Sequence, residues 1–147
     1  MRAQFGNPPP AYRRVVKLLH WSVVLLVLSL LAFGNLAVLK WALIICVGVW
    51  YAGFFAFGLL ARPSPALTGV VKNWFMPAHL VMAGLPGILA VAVANAPPGA
   101  LTDRAWIMAV VTLGAGLLHG IFHLWRHTAL RDGALRNMLP TFLHGVL

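Results

Sequence analysis

The chain has 147 residues, of which 61% are hydrophobic and only 9% are charged, whereas about a quarter of the residues of a soluble domain are charged. This composition excludes an ordinary water-soluble domain and predicts one membrane domain, residues 1–147, in contact with lipid. Eleven Lys and Arg residues stand against two acids, but no soluble segment combines a basic face with interleaved aromatic residues, so we expect no nucleic-acid partner.

Four long apolar segments follow one another along the chain and predict four membrane-spanning helices. Pro63 and Pro65 break the chain between the second and third segments, and Pro86 predicts a kink within the third. Asp103 is expected in the first turn of the fourth helix, where a negative charge suits the helix dipole. The predicted spans are residues 15–38, 41–61, 76–95 and 104–126, followed by a segment at 128–147 that is expected to lie along the membrane surface.

The basic residues are unequally divided between the two sides of this predicted bundle. Four spans form an all-α integral membrane four-helix bundle and place both termini on one side. Only Lys40 and Arg104 fall on the other side. Because basic residues accumulate in cytoplasmic segments, both termini are expected in the cytoplasm. The basic residues on the side of the termini are Arg2, Arg13, Arg14, Lys17, Arg62, Lys72, Arg126, Arg131 and Arg136.

Four histidines are predicted to lie at a similar depth, near the cytoplasmic ends of the spans. They are His20, His79, His119 and His123. The first follows Lys17 by three residues, and the last two precede Arg126 by seven and three residues. At a rise of ~1.5 Å per residue, all four fall within roughly ten Å of one membrane face. Histidine is scarce in lipid, where any single one can serve as a hydrogen-bonding residue between helices, but a cluster at one depth favours a cofactor site.

Haem b is the cofactor that best accounts for this cluster. Two neutral imidazoles from facing helices can bind the iron, with the flat macrocycle between the helices of a bundle. Gly116 and Gly120 share a helical face with His119 and leave room beside it. Haem propionates need cations near the membrane surface. The cations at that level are Arg13, Arg14, Lys17 and Arg126.

Two other classes of membrane protein fit the sequence poorly. A carboxylate-driven transporter is disfavoured because neither acid is predicted near mid-membrane. A zinc hydrolase is disfavoured because the chain has no His/Glu pair at metal spacing.

Two stretches of the chain resemble the bacterial cytochrome b561 family, four-helix inner-membrane proteins that bind haem b and exchange electrons with quinone. Residues 12–21, Tyr-Arg-Arg-Val-Val-Lys-Leu-Leu-His-Trp, resemble the family's arginine-containing lead into a His-Trp pair at the head of helix one. Residues 132–140, Asp-Gly-Ala-Leu-Arg-Asn-Met-Leu-Pro, resemble the tail that follows the family's last-helix histidine, here His119. The resemblance implies a multi-pass protein of the bacterial inner membrane.

The chain departs from the family pattern at two ligand positions. The family typically holds two haems, with one histidine in helix one, one in helix two and two in helix four. His20 and His119 match the first and the last of these, but helix two has no histidine, and Ala105 stands where the first ligand of helix four is expected. The two missing ligands would belong to the same outer haem. The resemblance therefore implies a single haem b near the cytoplasmic face, with His20 and His119 as its iron ligands.

Two alternatives stay open in this assignment. His123 is the alternative ligand. It lies three residues from Arg126, as His20 lies three residues from Lys17, so its predicted depth matches that of His20 slightly better than the depth of His119 does. His79 could replace either partner or donate a hydrogen bond to a propionate.

The implied function is electron transfer between this haem and a quinone or a partner redox subunit, as an electron carrier or oxidoreductase subunit rather than a stand-alone enzyme. No catalytic residue is assigned. The alternative is a structural subunit that anchors a larger membrane respiratory or photosynthetic complex and has little or no cofactor of its own. Its glycine-rich helices motivate this alternative, because small residues favour helix–helix contact.

Overall fold

A computed structural model describes residues 9–60 and 62–139 of the chain. The described part is all-helical, with no β-strand and a single isolated bridge between Asn35 and Gly99. In chain order the helices are α1 (Pro10–Phe33), α2 (Ala37–Phe57), α3 (Gly69–Ala94), α4 (Asp103–Ala129) and the short α5 (Ala134–Met138). The first four are long and apolar enough to cross a membrane, as predicted. The start of the proline-rich segment and the sequence from Pro140 onward, including the last eight residues of the predicted surface segment, lie outside the described residues.

Glycines decide where the first two helices end. The backbone of Gly34 has φ 79° and that of Gly58 has φ 75°, and each amide donates to the carbonyl four residues earlier. This left-handed conformation is open to glycine and strained for other residues, so it ends a helix. As a result, α1 and α2 end five and four residues earlier than the predicted spans, and the two helices also begin five and four residues earlier.

The other two long helices exceed their predicted spans. α3 begins at Gly69, seven residues before its predicted start. α4 begins after Thr102, whose hydroxyl accepts a 3.4 Å hydrogen bond from the amide of Ala105. Asp103 lies in its first turn, which confirms the prediction for this residue.

α3 continues through its internal prolines, and a tyrosine of α2 binds the backbone next to one of them. The hydroxyl of Tyr51 lies 2.9 Å from the carbonyl of Ala83 and 3.3 Å from that of Gly84, just before Pro86. Pro86 withdraws the donor that the carbonyl of Met82 would have in a regular helix, and the Tyr51 hydroxyl binds the two carbonyls that follow Met82. A Cβ added at Gly87 would collide with this hydroxyl, so the glycine is required by the close contact of the two helices.

The four long helices form a ring in which each contacts the next and α4 returns to contact α1. Apolar side chains also cover the outside, where Phe55 is 76% exposed and Val70 is 72% exposed. A water-soluble monomer rarely exposes so much apolar surface, whereas lipid suits it. The buried core consists of Val23, Val27, Leu30, Leu43, Cys46, Val47, Leu89, Ala90, Val93, Ala105 and Ala109.

The helices alternate in direction, so the bundle has two different ends. At one end, the starts of α1 and α3 meet the ends of α2 and α4, and the hydroxyl of Tyr12 donates to the carbonyl of Gly58. We call this the basic end, because most of the described Lys and Arg residues lie there. At the opposite end, which we call the Asn35 end, Lys40 and Arg104 lie in the first turns of α2 and α4. The basic residues at the basic end are Arg13, Arg14, Lys17, Arg62, Lys72, Arg126, Arg131 and Arg136.

The side chain of Asn35 joins the elements of its end of the bundle. It is fully buried, and its amide donates to the carbonyls of Pro97 at 2.8 Å and Ala96 at 3.0 Å. Its backbone also exchanges two hydrogen bonds with Gly99, at 2.5 and 3.3 Å. One residue therefore connects the α1–α2 turn to the α3–α4 turn.

We expect Asn35→Ala to lower the free energy of unfolding by about 1–3 kcal/mol, because buried carbonyls lose their donor. The measurement is unfolding in detergent micelles, followed by circular dichroism. Asn95→Ala is the control, since the exposed Asn95 side chain bonds only to Val91 of its own helix, and its effect should stay within about 0.5 kcal/mol. Equal losses for the two variants would contradict the role given to Asn35.

A candidate histidine metal site

Three histidines form a close group between α3 and α4 at the basic end. The ring centroids of His79 and His119 are 5.0 Å apart, those of His119 and His123 are 4.4 Å apart, and those of His79 and His123 are 5.9 Å apart. One nitrogen from each ring lies within 4.8 Å of the other two. The three side chains could therefore hold one metal ion.

Helix geometry explains how the group forms. His119 and His123 are four residues apart on α4 and so share one face of that helix. His79 reaches them from the first half of α3. Phe75, one turn earlier on α3, packs against the ring of His79 at 4.1 Å and that of Phe122 at 6.3 Å between ring centroids. These aromatic contacts orient α3 so that His79 faces α4.

A hydrogen bond fixes which nitrogen of His79 carries a proton. Its Nδ1 lies 2.7 Å from the carbonyl oxygen of Phe75, which can only accept, so Nδ1 donates and Nε2 keeps a lone pair. Histidines that bind metals commonly donate their other ring N–H in this way.

Several nitrogens of the group are buried and have no hydrogen-bond partner among the described residues. They are Nε2 of His79 and both ring nitrogens of His123. Buried polar atoms are nearly always paired in folded proteins, and an exception suggests an ion or ligand. The orphaned atoms are thus a second indication of a binding site.

His20 lies beside this group rather than within it. On α1, its ring packs edge-on against Trp21 at 5.7 Å and Trp50 at 6.2 Å. It is close enough to interact electrostatically with His119 and His123. The structure thus brings His79, His119 and His123 together. The assignment of His20 and His119 as a ligand pair stays a prediction.

Open space borders the histidine group on α4. A Cβ added at Gly116 or at Gly120 would meet no atom within 4 Å. Gly120 is exposed and Gly116 is half-buried, so the open space lies towards the helix surface, and room for a flat ligand beside His119 stays a prediction.

Arg126, predicted as a partner of the propionates, forms a buried ion pair with Asp132. Its Nη2 and Nε lie 2.6 and 2.7 Å from the same carboxylate oxygen, and the two side chains are 7% and 9% exposed. The other oxygen of Asp132 accepts from the amide of Ala134 at the start of α5. The guanidinium also lies 5.2 Å from the ring centroid of Phe75, within cation–π range. The pair therefore connects α3, α4 and α5 directly below the histidines.

The pKa of Asp132 reflects this pairing. Burial by itself raises the pKa of its carboxyl group, but hydrogen bonds from Arg126 and from the amide of Ala134 outweigh burial. The pKa of Asp132 therefore lies below its ordinary value, and the carboxylate is ionised at neutral pH. From the sequence, Asp132 was assigned only to the tail and no role was predicted for it. Its position six residues after Arg126 was the feature from which an ion pair could have been predicted.

The two stretches that carry the family resemblance meet in space. Lys17 donates to the carbonyls of Arg136 at 3.0 Å and Leu139 at 3.2 Å, and the indole of Trp21 donates to the carbonyl of Met138 at 3.1 Å. Lys17 was predicted to pair with a propionate. In the structure its ammonium group binds the last carbonyls of α5, a favourable place for a cation.

Arg13 and Arg14, the remaining predicted cations, are exposed on the first turns of α1.

Comparison with protein-family models, with curated proteins and with solved structures finds no match to this chain. The resemblance to the cytochrome b561 family has no support from these comparisons. What the structure defines is a bundle of four helices that could span a membrane, with a histidine group that could bind a metal ion at one end.

Proposed function

We propose that the protein is a membrane b-type cytochrome in which a single haem b near the cytoplasmic face exchanges electrons with a quinone or a partner redox subunit. The observation that carries the proposal is the gathering of histidines at the basic end of a bundle of four apolar helices, where His119 lies in a group with His79 and His123 and His20 lies on the neighbouring helix α1. Neutral imidazoles are established axial ligands of haem iron.

The residues at this end fit the requirements of a haem. His20 and His119 lie on the neighbouring helices α1 and α4 and are the proposed iron ligands, with His123 and His79 as alternatives. Gly116 and Gly120 border open space on the same helix. When bound, the iron supplies reversible one-electron transfer.

The chain's own residues would orient the ligands and exclude water. Trp21 and Trp50 pack against the ring of His20 and restrict its rotation. Buried apolar residues fill the bundle interior between this end and the Asn35 end.

The proposal favours Arg13 and Arg14 as the propionate partners. Both are exposed at the basic end, whereas Lys17 and Arg126 donate to protein acceptors. Charge also supports an orientation in the bacterial inner membrane with the basic end in the cytoplasm, because eight basic residues lie at this end of the described chain and two at the other.

An absorbance spectrum of the detergent-purified chain tests the proposal. We expect a Soret band, an α-band that sharpens on reduction with dithionite, and one haem b per chain by the pyridine haemochrome assay. The same spectrum of His20→Ala serves as the matched control and should lack these bands. Absence of a Soret band from protein made in haem-replete cells would refute haem binding. An iron content far below one per chain in a co-purifying complex would instead favour the structural-subunit alternative.

A further inference from the structure

The His79, His119 and His123 group has a composition of its own, independent of the haem proposal. All three candidate ligands are imidazoles, and the group contains no carboxylate or thiol. Imidazole suits zinc, copper, iron and nickel, whereas magnesium and calcium prefer oxygen ligands. The ligand type therefore limits the group to transition-metal ions.

The spacing is close to that of a coordination site. At metal–nitrogen distances of about 2.0–2.1 Å, three imidazole nitrogens around one ion lie roughly 3.3–3.6 Å apart. The nitrogens of the group already lie within 4.8 Å of one another. The carbonyl of Phe75 holds His79 in the tautomer whose Nε2 can bind a metal. Binding one ion therefore requires the three nitrogens to approach one another by no more than about 1.5 Å.

Charge distinguishes among the candidate metals. Arg126 and Asp132, at the same end of the described bundle, neutralise each other in an ion pair. Three neutral ligands would leave a divalent ion with its full double charge in a buried, weakly polar site. The Born cost of burying an ion rises with the square of its charge, so a monovalent ion costs about a quarter as much. Among imidazole-binding metals, copper is the one that is readily available as a monovalent ion.

We propose that His79, His119 and His123 together bind one Cu⁺ ion. His119 is also the proposed haem ligand, so copper and haem exclude each other on one chain. This proposal gives His79 and His123 a defined function, whereas in the haem proposal they are only alternative ligands.

The test uses the full chain in a His20→Ala background, which keeps all three ligands of the group and lacks the proposed haem ligand of α1. The chain is loaded with Cu⁺ under oxygen-free, reducing conditions and desalted, and copper per chain is measured by atomic absorption. We expect one copper per chain. Adding His79→Gln should weaken binding by more than about tenfold, the loss that follows even removal of an outer-shell partner. Glutamine keeps a donor for the Phe75 carbonyl, and circular dichroism verifies the fold.

His127→Gln in the same background is the matched control. His127 lies one turn after His123 on α4 and has a buried nitrogen without a partner among the described residues, but it is outside the group. Copper binding should be unchanged in this variant. Equal copper content in the His79 and His127 variants would overturn the proposal. X-ray absorption should count three nitrogen neighbours, and a count of two, or displacement of Cu⁺ by equimolar Zn²⁺, would also overturn it.

The single variants separate this proposal from the haem proposal. His79→Gln in the otherwise unchanged chain should keep the Soret band, because neither proposed axial ligand is altered. A chain that binds copper but shows no Soret band refutes only haem binding. A chain with a Soret band whose His20→Ala variant binds no copper refutes only the copper site.

Discussion

His119→Ala is expected to abolish both haem and copper binding, because this side chain is the one member shared by the two proposed sites. It lies on α4 within 5.0 Å of the ring of His79 and 4.4 Å of that of His123, measured between centroids. The purified variant should show no Soret band, and its His20→Ala derivative should bind copper at least about tenfold more weakly. Absorbance of the single variant measures the loss of haem, and atomic absorption of the His20→Ala derivative measures the loss of copper.

Two further alanine variants decide between the alternative ligands. His127→Ala, on the same helix, should retain the Soret band, since His127 lies outside the group of three. His123→Ala should also retain it, although its copper binding should be lost. A Soret band that survives in His119→Ala and disappears in His123→Ala would transfer the role of iron ligand to His123.

Asp132→Ala is expected to lower the free energy of unfolding by about 3–5 kcal/mol, because it leaves the buried guanidinium of Arg126 without a counter-charge. It also removes the acceptor for the amide of Ala134 at the start of α5. Unfolding in detergent, followed by circular dichroism, gives the difference. Arg136→Ala is the control: its side chain is exposed, so its effect should stay within about 0.5 kcal/mol. If the two variants unfold alike, the ion pair does not stabilise the basic end.

The same pair predicts a defined dependence of stability on pH. The pKa of Asp132 is lower in the folded chain than in the unfolded one, whose value is about 3.9. Its contribution is therefore fully present above that value and is lost as the pH falls through the folded pKa. Unfolding measured from neutral pH into the acid range should show a fall in stability that is smaller in Asp132→Ala. Parallel curves for the two chains would contradict the lowered pKa.

Hydropathy was sufficient to predict the number of long helices and insufficient to place all their ends. Residues 35–38 are mostly apolar and so were assigned to the first span, yet α1 ends at Phe33. The positive φ of Gly34, together with the close approach of its backbone to Gly99, ends the helix there. A local hydropathy pattern cannot reveal a contact with a residue so distant in the sequence.

The depth of the histidines could also be predicted, but which of them come together could not. Counting residues from Lys17 and Arg126 placed His20, His119 and His123 near one end, and the predicted start of the third span placed His79 there as well. Which of them meet depends on the rotation of each helix about its axis, and that rotation is set by contacts such as Phe75 with Phe122. For this reason His79 joins the group while His20 lies against Trp50. The ion pair between Arg126 and Asp132 was not predicted, because it depends on a turn with positive φ at Arg131 and Gly133 that brings Asp132 back towards Arg126.

The bonds from Lys17 and Trp21 to α5 have a consequence for biosynthesis. These two residues are synthesised before their acceptors, the carbonyls of Arg136, Met138 and Leu139, which follow them in the sequence by 117 to 122 residues. The N-terminal part of α1 therefore cannot form these bonds until α5 has been synthesised. A nascent chain that stalls after α4 retains an ammonium group and an indole without these acceptors, a chemical difference by which incomplete chains can be distinguished from finished ones.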